Sequence, residues 1–139
     1  MTLGRLKKLI TGITFGDAMV PQDPEVMLGL LEMAYLEIAN HTTAMKLLTS
    51  NINNQIVRKG PGSKWIRMPD LPNDDTEELD VDNELCPAVA RIIASYISKE
   101  KSTKHFNEAK RIMYDYQAKI EAFIKDQARK GTYDGVTPC

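Results

Sequence analysis

Long apolar runs, paired cysteines, aromatic residues and a surplus of either charge are all scarce or missing in this chain of 139 residues. No stretch approaches the roughly 18 uncharged apolar residues that a membrane-spanning helix needs, so no membrane contact is expected. The two cysteines, Cys86 and Cys139, form no CxxC pair. That argues against a disulfide framework or a zinc site and fits a reducing compartment. A formal net charge of −1 argues against bulk electrostatic binding of nucleic acid, because such domains are usually basic. The opening Met1-Thr2-Leu3-Gly4-Arg5 lacks the apolar core and cleavage site of a secretory signal. What is present is 42% apolar and 27% charged residues, enough for one globular core and too apolar for a disordered chain. Composition predicts a soluble intracellular domain and names no activity.

Charge divides the chain. Between Asp70 and Glu84 stand eight acidic residues and no Lys or Arg, whereas Lys99 to Lys130 holds nine Lys/Arg against five Asp/Glu. The acidic stretch, with Pro69 and Pro72 and few apolar residues, predicts an extended connector over 69–83. It separates an N-terminal part, 1–68, from a C-terminal part, 84–130, and there is no internal repeat.

In the C-terminal part, Leu85, Ala88, Val89, Ile92, Ile93, Tyr96 and Ile97 recur at helical steps. Asp82 or Asn83 is placed to cap this helix, and Pro87 falls early enough to be tolerated. A second stripe, Phe106, Ala109, Met113, Tyr116, Ile120 and Phe123, has near-heptad spacing over about five turns. The two predict an antiparallel helical hairpin. In the N-terminal part, Leu3, Leu6, Leu9, Ile10 and Ile13 predict a short amphipathic helix. Asp23-Pro24-Glu25 is a helix start, and the helix it opens is expected to reach about Lys46. Its apolar residues run almost all the way round, broken only by Glu32 and Glu37. A surface helix of a small monomer is half polar. One face of this helix is therefore expected in the core and the other against a neighbouring copy, with Leu28, Leu31, Tyr35 and Leu36 as candidate interface residues.

Gln55 to Lys59, Gly60-Pro61-Gly62-Ser63, and Lys64 to Met68 predict strand, turn and strand. An isolated hairpin is marginal in water, so residues 53–68 must pack on a helix, project as a loop or pair with other chains. Arg58, Lys59, Lys64, Trp65 and Arg67 place four cations and the only Trp on this ribbon. Trp and Arg are typical contact anchors, here with protein contact ahead of nucleic acid. Residues 131–139, with two Gly and a Pro, predict an extended arm whose apolar contacts are Tyr133 and Val136.

Sites for chemistry are not apparent. His41 and His105 sit in different elements without a Cys or carboxylate at ligand spacing. Cys86 at a helix start has acidic neighbours that oppose thiolate formation. The acidic run lacks the spacing of a calcium loop, and Gly60-Pro61-Gly62-Ser63-Lys64 lacks the order of a phosphate loop. No catalytic residue, metal or cofactor is assigned.

The order of elements resembles the head-to-tail connector (adaptor, or head-completion) proteins of tailed bacteriophages. The resemblance rests on residues 30–39, on Asp82 to Ile97 with the long helix that follows, and on the hairpin and acidic connector between them. It covers about residues 20–125. It implies an all-α fold, a small bundle of about four helices over 1–130 with one projecting hairpin and an extended C-terminal arm. It also implies a virion protein, assembled in the host cytoplasm, that forms a ring of identical subunits, commonly a dodecamer. Such a ring joins the portal protein to a tail or nozzle protein and lets the genome pass, with weak DNA contact in the lumen. Residues 131–139 would then be the portal arm, with Tyr133, Val136 and Pro138, and 53–68 the tail-facing hairpin. The competing expectation is a small helical regulator or adaptor acting as a homodimer.

Overall fold

The first two helices begin where an apolar repeat meets a capping side chain; the last two start without one, and neither Asp82 nor Asn83 caps the helix that opens at Cys86. In the computed structural model, which describes residues 1–15 and 17–130, α1 (Leu3–Ile13) starts on Thr2, whose hydroxyl accepts the Arg5 N–H. It buries Leu3, Leu6 and Ile10. Helix α2 (Pro24–His41) starts on Asp23, whose carboxylate accepts the Glu25 N–H, with Pro24 in the first turn. It stops at His41, short of Lys46. Thr42 leaves helical geometry, with φ −134° and ψ 158°, and its hydroxyl donates back to the Ile38 carbonyl. The β-branched pair Thr42-Thr43 favours that exit.

A 3-10 turn (Met45–Leu47) then leads into β1 (Leu48–Thr49), followed by β2 (Ile56–Lys59) and β3 (Trp65–Arg67). The sheet is antiparallel with order β1-β3-β2, so the expected hairpin has gained a third strand. Leu48 pairs with Ile66, and Ile66 on the central strand is fully buried. Gly62, at φ 61°, supplies the left-handed residue of the turn. The hairpin does not project. It packs on α2, where Arg58 Nε donates 2.9 Å to the Ala39 carbonyl and Nη2 donates to that of Thr42. These are carbonyls a helix C-terminus leaves open, and a cation suits that end.

The acidic connector is also packed. Leu3 N–H donates to the Glu77 carbonyl and Gly4 N–H to that of Asp75, while Leu79 N–H donates to the Met1 carbonyl. A Cβ on Gly4 would stand 3.1 Å from the Asp75 carbonyl oxygen, so the missing side chain permits this approach. Pro69, Pro72, Leu79 and Val81 are buried. The segment is a strap across the start of α1, and its four buried apolar residues separate it from a solvated linker.

A second 3-10 turn (Asn83–Leu85) opens α3 (Cys86–Ile97), which is followed by α4 (Ser102–Arg129). Helix α3 packs against α1, α2 and α4, and so buries residues all round, from Cys86 through Ser95 except Pro87 and the half-buried Arg91. Ile92, Met113 and Tyr116 share the core as expected, but Tyr96 is 37% exposed. Helix α4 runs about 42 Å at 1.5 Å per residue. It outruns the core: Ile120 is half-buried and Phe123 exposed. The chain is thus mainly helical, with four α-helices and a small three-stranded antiparallel sheet.

Candidate assembly surfaces

The outward face of α2 is the most distinctive surface. Its inner side buries Met27, Leu31, Ala34, Tyr35, Ile38 and Ala39. Leu31 and Tyr35, expected at a subunit interface, are therefore in the chain's own core and unavailable to a partner. Leu28 is half-buried. Of the expected four, Leu36 alone is exposed, at 46%, and it is joined by Val26 and Met33, at 49% and 52%. Val26 and Met33 lie seven residues apart, on one line of the helix. Exposed apolar residues gathered on one side of a helix are candidates for a contact site.

Beside this line, a groove of about 560 Å³ runs between α2 and β2, lined in part by Met33, Leu36, Ile56, Val57 and Met68. On the other side a cleft of about 300 Å³ separates α2 from α4, lined in part by Glu37, His41, Phe106, Lys110 and Tyr114. Both are open and mostly apolar.

Charge is sorted between these helices. No Lys or Arg occurs between Lys8 and Lys46, so the surface of α2 carries Glu25, Glu32 and Glu37 with no cation except His41 when protonated. His41 Nε2 lies 3.1 Å from Glu37. Helix α4 carries Lys104, Lys110, Arg111, Lys119, Lys125 and Arg129. Arg111 is held by Glu108 and Asp115, Lys119 by Glu84, and Arg129 by Asp126. Lys104, Lys110 and Lys125 make no ion pair among the described residues, and Lys110 Nζ stands 5.2 Å from the Phe106 ring.

The basic hairpin is largely spent within the chain. Arg58 caps α2. Arg67 forms a two-pronged ion pair with Asp80 of the strap, which lifts the Arg67 pKa further. Lys59 Nζ lies 4.3 Å from the centroid of the Trp65 ring, and both Trp65 and Lys64 are half-buried. The ribbon is not a free cationic surface. The local sequence held no signal for this, because the partners lie in distant elements. Tyr133, Val136 and Pro138 fall outside the described residues.

Other polar groups serve the fold. Asp82 accepts the N–H groups of Met45 and Lys46 and the Tyr116 hydroxyl, locking the second half of α4 to the turn before β1. Burial raises the Cys86 thiol pKa, so this cysteine is a protonated core residue. His105 is buried rather than at the surface. Its Nδ1 lies 3.0 Å from Arg91 Nη1, and its Nε2 has no hydrogen-bond partner among the described residues. Burial, then Arg91, lowers its pKa. Among the described residues no group of three or more His, Cys, Asp or Glu could hold a metal ion, and no helix is long and apolar enough to cross a membrane. Compared with protein-family models, with curated proteins and with solved structures, the chain gave no match.

Proposed function

We propose that this chain is a structural assembly protein, a connector of a phage virion whose copies form a ring between the portal of the head and the tail. One observation carries the reading: α2 has a second apolar face, Val26, Met33 and Leu36, left open after the core is complete. A small chain that buries α3 all round and still leaves such a face has surface to share with a partner. The helices would form the bundle of the ring wall, and the genome would pass through the lumen with weak contact.

The mechanism is assembly without chemistry. A contact that is weak between two copies becomes strong when repeated around a template, because each added copy meets its neighbours at high effective concentration. Residues 131–139 are assigned as the portal arm on composition: Gly131, Gly135 and Pro138 oppose regular structure, and Tyr133 and Val136 offer anchors. With Arg58 and Arg67 engaged inside the chain, a tail-facing role for the hairpin falls to its turn, 60–63, and to Lys64.

Co-sedimentation with the portal protein of the same virion tests the reading. The full chain should bind, and a chain lacking residues 131–139 should melt as before and fail to bind. Failure of the full chain to bind would favour the second reading, a homodimeric helical adaptor that pairs through the heptad helix α4.

A further inference from the structure

We propose that a second copy of this chain lays the basic outer face of its α4, centred on Tyr114, across the acidic and apolar outer face of α2. The inference rests on the assembly reading in taking the partner to be an identical copy. It goes further in naming both halves of the contact.

On α2 the half is Val26, Met33 and Leu36, flanked by Glu25 and Glu32, which are exposed and have no ion pair among the described residues. On α4, Lys110, Tyr114 and Lys125 are separated by four and eleven residues. Both steps return to nearly the same side of a helix. Tyr114 is 75% exposed, and Lys110 and Lys125 are exposed. Ala118 lies between them on the same side, small enough to admit a neighbouring side chain. Glu121, the acidic residue near this line, is engaged by the Gln117 amide at 3.1 Å. The α2 half holds carboxylates and no cation, and the α4 half holds two cations to one carboxylate. Glu25 to Glu37 span about 18 Å of helix and Lys110 to Lys125 about 22 Å, so one lengthwise crossing brings both charge sets together. Tyr is also among the residues that most often anchor interfaces. Opposite charge on the two faces speeds encounter and fixes register, and like charge in any α2-on-α2 contact disfavours that alternative.

Charge reversal on the full chain tests the pairing. One variant carries Glu25→Lys with Glu32→Lys, and the other Lys110→Glu with Lys125→Glu. All four sites are exposed, so helical circular dichroism should match the parent. Sedimentation of the parent at concentrations up to about 1 mM should show association, weakened at least about tenfold in each variant and restored when the two variants are mixed. A parent monomeric throughout, a variant that associates like the parent, or a mixture that stays apart would overturn the pairing. The mass of the parent assembly separates this from the assembly reading. Closure at two copies, with the expected response to reversal, keeps the pairing and removes the ring. A larger closed assembly indifferent to reversal keeps the ring and removes the pairing.

Discussion

Arg67 and Asp80 meet in a two-pronged ion pair, Nη1 2.6 Å from Oδ2 and Nη2 3.0 Å from Oδ1, and this pair pins the acidic strap to the central strand of the sheet. Asp80 also accepts the Asp70 N–H at 2.9 Å, and Arg67 Nη2 donates to the Lys46 carbonyl. One side chain from each of two distant segments thus joins strap, sheet and the turn before β1.

This pair makes stability depend on acid. Burial alone would raise the Asp80 pKa, but Arg67 and the Asp70 N–H outweigh it and hold the carboxyl below its usual value. The stabilisation is complete above about pH 4, where the unfolded chain's carboxylate is ionised, and is lost as pH falls through the lower folded value. Asp80→Asn should cost about 1–2 kcal/mol at neutral pH, since the pair is partly exposed. It should also flatten the fall in melting temperature below pH 4. Thermal melts of both proteins from pH 2.5 to 7 check this.

His105 should act in a higher pH range. Its pKa is lowered by burial and by Arg91, so the unfolded chain takes up a proton that the folded chain refuses. Stability should therefore fall as pH drops below about 6.5, the unfolded value. His105→Leu should reduce that slope below about pH 6.5 and leave helical content unchanged. An undiminished slope in the variant would assign it to other groups.

Two neighbouring substitutions on α3 should separate core from surface. Ile92→Asp places an unpaired carboxylate in the core and should cost several kcal/mol, enough to unfold the chain. Tyr96→Ser, one turn later at a 37% exposed site, should keep the helical circular dichroism and most of the melting temperature. Equal damage from both would show that the α3–α4 packing is misassigned.

The helices were legible because each has a local signature: Asp23 and Pro24 at the start of α2, and repeats of three and four residues on α1, α3 and α4. The site was legible only in part. On α2 the apolar residues run all round, so spacing marked the helix as two-faced without saying which side was inner. Leu31 and Tyr35 thus read as interface, although the packing of α3 makes theirs the core side. The strap hid Leu79 and Val81 among carboxylates, where isolated apolar residues give no periodic signal. Nothing near Arg58 or Arg67 foretold that α2 and Asp80 would occupy them. Strand β1, two residues long, has no pattern of its own and exists because β3 offers an edge.

Substitutions along α2 should reproduce that division. Leu31→Lys should unfold the chain, with a cost of several kcal/mol. Met33→Lys and Leu36→Lys should each shift stability by no more than about 0.5 kcal/mol and still block assembly. Circular dichroism for the fold and native mass for the assembly separate the two effects.

Electron microscopy of the chain mixed with its portal protein tests the central claim most directly. A connector should appear as closed rings of identical subunits stacked on the portal, absent when Met33→Lys replaces the parent. Portals that stay bare, with the chain remaining beside them as monomers or dimers, would contradict it.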